Sequence, residues 1–303
     1  MVRRHVIAAA AAPVLPMLDG PVRAGTVLGT FTRAVIIGVP TPDGPRVLSL
    51  LAPTASGMPN GVRLGAVEAP VLTGHVPGEA VAVGGGRILL DGIEVRVVRS
   101  WPCRVRRTAV ERRSIDTIAD LAAARPVGVP AERVDALQSA LESAQRSALK
   151  PAQTAPTATI PPEADHPRRA AVRRLVGRGL GLTPGGDDVI AGALCGLHAT
   201  GATAGARVLA ASALDHVTDR TTLLSADLLR LAADGDACLE VLGVLRAAHG
   251  SRDVLRPSTF ALSVAIDRLL SVGHTSGADL ATGLAIGLRA GAPAGVREQA
   301  EVG

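Results

Sequence analysis

Two short stretches of this chain concentrate groups that could bind or transfer something small. The first runs Gly177-Arg178-Gly179-Leu180-Gly181-Leu182-Thr183-Pro184-Gly185-Gly186-Asp187-Asp188 and leads into an apolar helical pattern. Five glycines in the ten residues Gly177 to Gly186 lose much backbone freedom on folding unless the chain approaches something closely there. A glycine-rich loop opening a helix presents free N–H groups, which suit a phosphate or a carboxylate. Arg178 adds a planar fork for the same anions. Arg178, Gly179, Gly181, Thr183, Gly185 and Gly186 are therefore candidate anion ligands. Asp187 and Asp188 would repel an anion unless they hold a metal, orient a polar substrate or exchange protons. The bland reading is a well-capped helix, with Thr183-Pro184 as N-cap and first-turn pair and two Asp complementing the helix dipole. The Gly-Lys-Ser/Thr ending of a P-loop is missing.

The second stretch, Gly273-His274-Thr275-Ser276-Gly277-Ala278-Asp279, also opens a helix, with Ser276 and Asp279 spaced like a capping box. His274 could act as acid, base or anion donor, and Thr275 and Ser276 are hydroxyl donors. At an offset of 91 residues the two stretches align: Gly186, Asp188, Gly192 and Gly196 fall on Gly277, Asp279, Gly283 and Gly287. Each Gly-x3-Gly step places two glycines on one helix face, where a neighbouring helix packs tightly. This predicts two helices packed pseudo-symmetrically, bringing both N-termini and Asp188 and Asp279 to one site. The competing explanation is coincidence in a Gly/Ala/Leu-rich sequence. Thr221-Thr222-Leu223-Leu224-Ser225 reads as a further helix N-cap, with Thr221 and Thr222 as candidate ligand contacts. The catalytic candidates are thus Asp187, Asp188, His274 and Asp279.

The elements that must position these groups divide the chain. From about 20 to 105, short β-branched runs (Val27–Ile37, Arg46–Leu51, Val62–Leu64, Ala80–Val83, Arg87–Leu90, Ile93–Val98) alternate with turn signals such as Pro42-Asp43-Gly44, Gly84-Gly85-Gly86 and Asp91-Gly92. Residues 1–110 read as a small antiparallel β-barrel or sandwich, and 111–303 as an α-helical domain, giving an α+β protein. Helical periodicity covers Ser114–Ala124, Ala131–Leu149 and segments near 167–177, 187–199, 203–217, 222–234, 236–248, 257–272 and 277–290. The proline-rich stretch Lys150–Pro167 reads as a linker or mobile loop.

Composition narrows the function classes. The 303 residues are 47% apolar and 19% charged, a globular balance. Two Phe, one Trp and no Tyr argue against a nucleic-acid surface built on base stacking. The net charge of +5 is spread along the chain, and all basic residues but Lys150 are Arg, which suits small anions and equally fits a GC-rich genome. Cys103, Cys195 and Cys238 have neither zinc nor redox spacing, as expected in a reducing, cytoplasmic setting. Met1–Leu18 has the outline of a signal peptide, but two prolines interrupt its apolar run. Elsewhere no uncharged apolar run reaches the roughly 18 residues of a membrane span.

The run Gly179–Asp188 resembles the signature of the AllH-type family, an oxamate carbamoyltransferase subunit. Met58-Pro-Asn-Gly-Val62, Thr221–Ser225 and Gly273–Asp279 fit the same family, so that the resemblance extends from about Gly25 to Leu288. Gly185 departs from an expected Ser, and Ala278 from a common aromatic. The resemblance implies a subunit working with FdrA-like partners in purine (allantoin) catabolism, where oxalurate and phosphate give oxamate and carbamoyl phosphate. It further implies small anionic ligands (phosphate, carbamoyl phosphate, oxamate), no nucleic acid and no membrane. Three readings stay open: a carbamoyl-transferring subunit, a non-catalytic accessory subunit, and a metal-dependent hydrolase holding Mg²⁺ on Asp187, Asp188 and Asp279.

Overall fold

The computed structural model describes residues 4–65, 70–148, 166–249 and 259–292. They form two compact units. The first comprises Met1–Arg104 together with Asp236–Leu239, and the second Val105–Gly235 with Glu240–Gly303.

The first unit is a closed barrel, not a sandwich. Its strands are β1 (Arg4–Ala11), β2 (Arg23–Phe31), β3 (Ala34–Thr41), β4 (Gly44–Leu51), β5 (Gly61–Leu64), β6 (Ala80–Gly84), β7 (Arg87–Leu90) and β8 (Ile93–Trp101). The order around the barrel is β1-β5-β4-β3-β2-β6-β7-β8. β8 closes onto β1 in parallel, and β4 pairs with β5 in parallel, so the barrel is mixed and not purely antiparallel. Closure leaves no edge strand. Alternate aliphatic side chains, among them Val27, Ile37, Leu48, Leu50, Val62, Val83, Ile88 and Val95, fill the interior. Gly92 at φ +70° and Gly85 and Gly86 at +59° and +75° make the tight hairpins expected from their sequences.

Two parts of this region differ from their sequence outline. Val27–Ile37 is not one strand: a hairpin with Thr32 and Arg33 at its tip separates β2 from β3, Phe31 pairing with Ala34. The signal-peptide outline is the first barrel strand, with Val6, Ala8 and Ala10 buried in the barrel core. Pro13 and Pro16 then sit in the first turns of a short 3₁₀ segment and of helix α1 (Leu15–Asp19), where a missing N–H is tolerated. α2 (Pro70–Thr73) completes this unit's helices among the described residues.

The second unit is helical: α3 (Arg112–Ala123), α4 (Ala131–Ala148), α5 (His166–Leu175), α6 (Gly185–Thr200), α7 (Thr203–Leu214), α8 (Leu223–Ala233), α9 (Leu239–Ala248), α10 (Thr259–Leu270) and α11 (Ser276–Gly291). The helix expected from 236 begins only at Leu239, because Asp236 forms a β-bridge with Arg104 and Ala237 N–H donates to Cys103. Most of the proline-rich stretch Lys150–Pro167 lies outside the described residues. No described helix is long and apolar enough to cross a membrane.

α6 is buried from Gly185 to Leu197 without interruption, the signature of a helix surrounded by others. Its principal neighbour is α11. A methyl group on Gly192 would strike the carbonyl of Leu280 and come within 2.8 Å of Leu284 N. One on Gly196 would lie 2.5 Å from Leu288 N, while Gly283 and Gly287 press on the carbonyls of Val189 and Ala193. The register is parallel, with position 192 level with 283 and 196 with 287, as the 91-residue offset predicts. Both N-termini therefore lie at the same end.

Gly283→Ala should destabilise the chain by roughly 3 kcal/mol, since the added methyl meets backbone that cannot move aside. Gly243→Ala in α9, where a Cβ meets nothing within 4 Å, should raise stability by about 1 kcal/mol. Denaturant melts of the two variants test the contact; equal effects would contradict it.

Candidate functional site

The glycine loop between α5 and α6 owes its composition first to the protein itself. Gly177, Gly179 and Gly181 have φ of +70°, +122° and +90°, values that side-chain-bearing residues rarely adopt. Gly177 also lies against the carbonyl of Arg220, and Gly186 against that of Leu175. Gly277 repeats the second contact against Leu269, so the entry into α11 copies the entry into α6. Contrary to the expectation of free loop amides, Gly186 N–H donates to Arg178 O at 2.8 Å, and Asp187 and Asp188 N–H turn back to Pro184 O. Helix α6 starts at Gly185 with Pro184 as its N-cap, so Thr183 does not cap it.

Asp187 and Asp188 are neighbours with opposite surroundings. Asp187 Oδ1 accepts the Gly177 N–H at 2.8 Å, and Oδ2 accepts the hydroxyls of Thr221 and, at 2.6 Å, Ser225. Thr222 accepts Ser225 N–H at 3.1 Å, capping α8, and donates its hydroxyl to Leu182 O. Asp187, Thr221 and Thr222 thus tie the glycine loop to the start of α8. Both oxygens of Asp187 are engaged within the chain.

Asp188 faces α11. Thr183 Oγ1 and Ser276 Oγ lie 3.1 Å apart beside it. Neither hydroxyl caps its own helix: α11 begins at Ser276 with Thr275 as its N-cap, and no side-chain cap bond forms, so the capping-box reading fails. Asp188 is 7% exposed, and its buried Oδ2 has no hydrogen-bond partner. Burial pushes the Asp188 carboxyl well above the ordinary range; the nearby Asp279 and Asp187 charges add to this, and the Ser276 and Thr183 hydroxyls oppose it.

Asp279, fully buried, is held by a residue that sequence reasoning missed. The Gly128 N–H donates to Asp279 Oδ1 at 2.8 Å and to Oδ2 at 3.1 Å. Burial raises the Asp279 carboxyl, against the pull of Gly128 N–H and the Thr275 hydroxyl. Gly128 lies in the α3–α4 connection, and a Cβ there would come 3.0 Å from Thr275 Oγ1 and 3.2 Å from Gly185 Cα. One on Gly185 would come 2.9 Å from Gly128 Cα and 2.7 Å from Asp279 Oδ2. Two backbones touch here, which favours glycine at both positions. The only sequence signal for Gly128 is its place between Pro126 and Pro130 in a short connection.

The structure thus gathers Thr183, Gly185, Asp188, Thr275, Ser276 and Asp279 around the paired helix starts, with Gly179 at their edge against Gly185 N. Arg178 and His274 are exposed nearby in sequence, as is Gly181 at the loop tip, and neither side chain reaches this cluster through a hydrogen bond. No group of three His, Cys, Asp or Glu among the described residues is arranged to hold a metal ion, and Asp187 turns away from the other two carboxylates.

The paired helix starts, the glycine loop and the α8 cap all fall within residues 175–288, which match the family model described as oxamate carbamoyltransferase subunit AllH. The resemblance read from the motifs is thereby shown over that segment. No solved structure matches the chain.

Because the folded state favours the protonated form of Asp188, its contribution to stability is complete below the unfolded carboxyl pKa of about 3.9 and falls as pH rises towards the raised folded value. Asp188→Asn should remove this loss. The variant should match wild type near pH 4 and exceed it increasingly above, by on the order of 1 kcal/mol per pH unit at first. Thermal melts across pH check the sign, and a variant less stable at pH 7 than at pH 4 relative to wild type would refute the assignment.

Proposed function

We propose that this chain is a subunit of a carbamoyl-transferring enzyme and that the paired starts of α6 and α11 receive a small ureido acid of the oxalurate type. The observation that carries this reading is Asp188, a buried carboxyl biased to its protonated form with one oxygen free of any protein partner. The family description over residues 175–288 supplies the reaction class.

In that reaction a phosphate oxygen attacks the ureido carbonyl carbon. The new C–O bond makes carbamoyl phosphate, the C–N bond to oxamate breaks, and the departing nitrogen needs a proton. A protonated Asp188 gives that proton, and the hydrogen phosphate nucleophile returns one to its carboxylate. Neutral Asp188 also removes the like-charge repulsion that would otherwise bar an anion from a pair of Asp-bearing helix starts. Asp279, which already accepts an amide N–H, orients the ureido nitrogen. Thr183, Thr275 and Ser276 donate hydroxyl hydrogen bonds, and Arg178 stands at the exposed loop to meet phosphate. His274, also exposed, stands just before α11 as a further donor to an anion. Asp187, Thr221 and Thr222 act as positioning residues through the loop they fix. The chain works in the cytoplasm in a hetero-oligomer with FdrA-like subunits.

A second reading, an accessory subunit whose glycine helices support chemistry elsewhere, draws on the internal saturation of the site. Gly186 N–H and both oxygens of Asp279 are already engaged within the chain.

Thermal-shift titration of the purified chain with phosphate, carbamoyl phosphate, oxamate and oxalurate separates the two. A ligand at 100 times its dissociation constant stabilises the fold by about 2.7 kcal/mol. The first reading expects a shift that Asp188→Ala abolishes. No shift with any of the four, alone or with FdrA-like subunits present, favours the accessory reading.

A further inference from the structure

The barrel carries a motif, Met58-Pro59-Asn60-Gly61-Val62, that the helical site does not use. Strand alternation places Ser49, Gly61 and Arg63 on the face opposite Leu48, Leu50, Val62 and Leu64, which point into the barrel. This outer patch is built around one tryptophan. A Cβ on Gly61 would lie 3.5 Å from Trp101 Cζ2, and the Arg63 guanidinium carbon stands 5.4 Å from the centre of the Trp101 ring.

Three buried nitrogens of this patch have no hydrogen-bond acceptor: Asn60 Nδ2, Arg63 Nε and Trp101 Nε1. Asn60 is fully buried, and its amide oxygen accepts the Ser49 hydroxyl at 3.2 Å, which leaves its NH₂ group unmatched. Arg63 donates from one terminal nitrogen to Ala55 O at 3.0 Å, and no carboxylate among the described residues pairs with it. Folded proteins satisfy nearly all buried polar atoms, so the unmatched nitrogens of Arg63 and Trp101, on side chains stacked against one another, need an acceptor. Both are donors and one belongs to a cation. What they lack is an acceptor, and beside the guanidinium an anion makes the stronger one.

We propose that this patch is a binding site for a small carboxylate, held by the Arg63 Nε–H and the Trp101 indole N–H. A flat carboxylate has two acceptor oxygens with about four lone-pair sites and matches a set of N–H donors beside a guanidinium plane. Arg63 and Trp101 are each only half-buried, which gives the ligand a route from solvent. The site is independent of the helical cluster and does not rest on the carbamoyl-transfer reading.

Trp101 is the single tryptophan of the chain, so its fluorescence reports this patch alone. The experiment is a titration of the full chain with sodium oxamate at constant ionic strength set by sodium chloride, with inorganic phosphate as a tetrahedral control. A saturable change in Trp101 emission with oxamate, absent with chloride and phosphate, lost in Arg63→Gln and kept in Asp188→Asn, is the expected result. If Arg63→Gln does not fold, Arg63→Lys keeps the charge but lacks the Nε–H, and the loss is expected there too. An emission that oxamate leaves unchanged overturns the proposal, as does a response that survives in the Arg63 variant. A response lost in Asp188→Asn assigns the effect to the helical site, and an equal response to phosphate overturns the choice of a carboxylate.

Discussion

The candidate site depends on one constraint: α6 and α11 run parallel with their backbones in contact. Parallel helices set side by side align their dipoles, which is unfavourable, and place two partly positive N-termini at one end. The contact is kept because four glycines, Gly192, Gly196, Gly283 and Gly287, let main-chain atoms meet main-chain atoms over two turns. Three carboxyls, Asp187, Asp188 and Asp279, stand in the first turns of the two helices and oppose the accumulated positive end. Burial then outweighs the helix ends for Asp188 and Asp279 and drives both carboxyls towards the neutral form. A carboxyl shifted towards its neutral form at a doubled helix N-terminus is thus a consequence of the packing.

Adjacent residues on a helix point about 100° apart, and the consecutive Asp187 and Asp188 use that divergence. Asp187 turns to the glycine loop and α8 and is saturated by Gly177, Thr221 and Ser225. Asp188 turns to α11 and keeps an oxygen unused. Thr183 and Ser276 follow the same logic. Each stands where it could cap its own helix, yet they meet one another beside Asp188. Local capping energy is given up for contacts across the pair, a pattern in which tertiary chemistry overrides local preference.

Much of this was legible because it is periodic. The 91-residue repeat of Gly and Asp predicted the pairing, its register and the meeting of the two Asp-bearing helix starts. Glycine-marked hairpins at Asp91-Gly92 and Gly85-Gly86 were legible since only positive φ closes such turns. The Thr32-Arg33 hairpin tip uses no positive φ and left no mark, so two strands read as one. The first strand was obscured because an alanine-rich barrel strand and a signal sequence share composition. The glycine loop was read in the right place for an incomplete reason. Its glycines approach Arg220, Leu175 and Gly128 of the same chain, contacts between residues far apart in sequence that no local pattern encodes.

Gly128 ties the α3–α4 connection to the paired helix starts. It comes from outside the segment that matches the family model, yet it supplies both N–H contacts to Asp279. A side chain at 128 or at 185 would collide with the other backbone, so the two glycines act as one unit and their substitution effects are coupled. The bifurcated bond engages both oxygens of Asp279 with one backbone N–H. The α3–α4 connection therefore fixes the Asp279 carboxyl at the start of α11 through a residue 151 positions away in sequence.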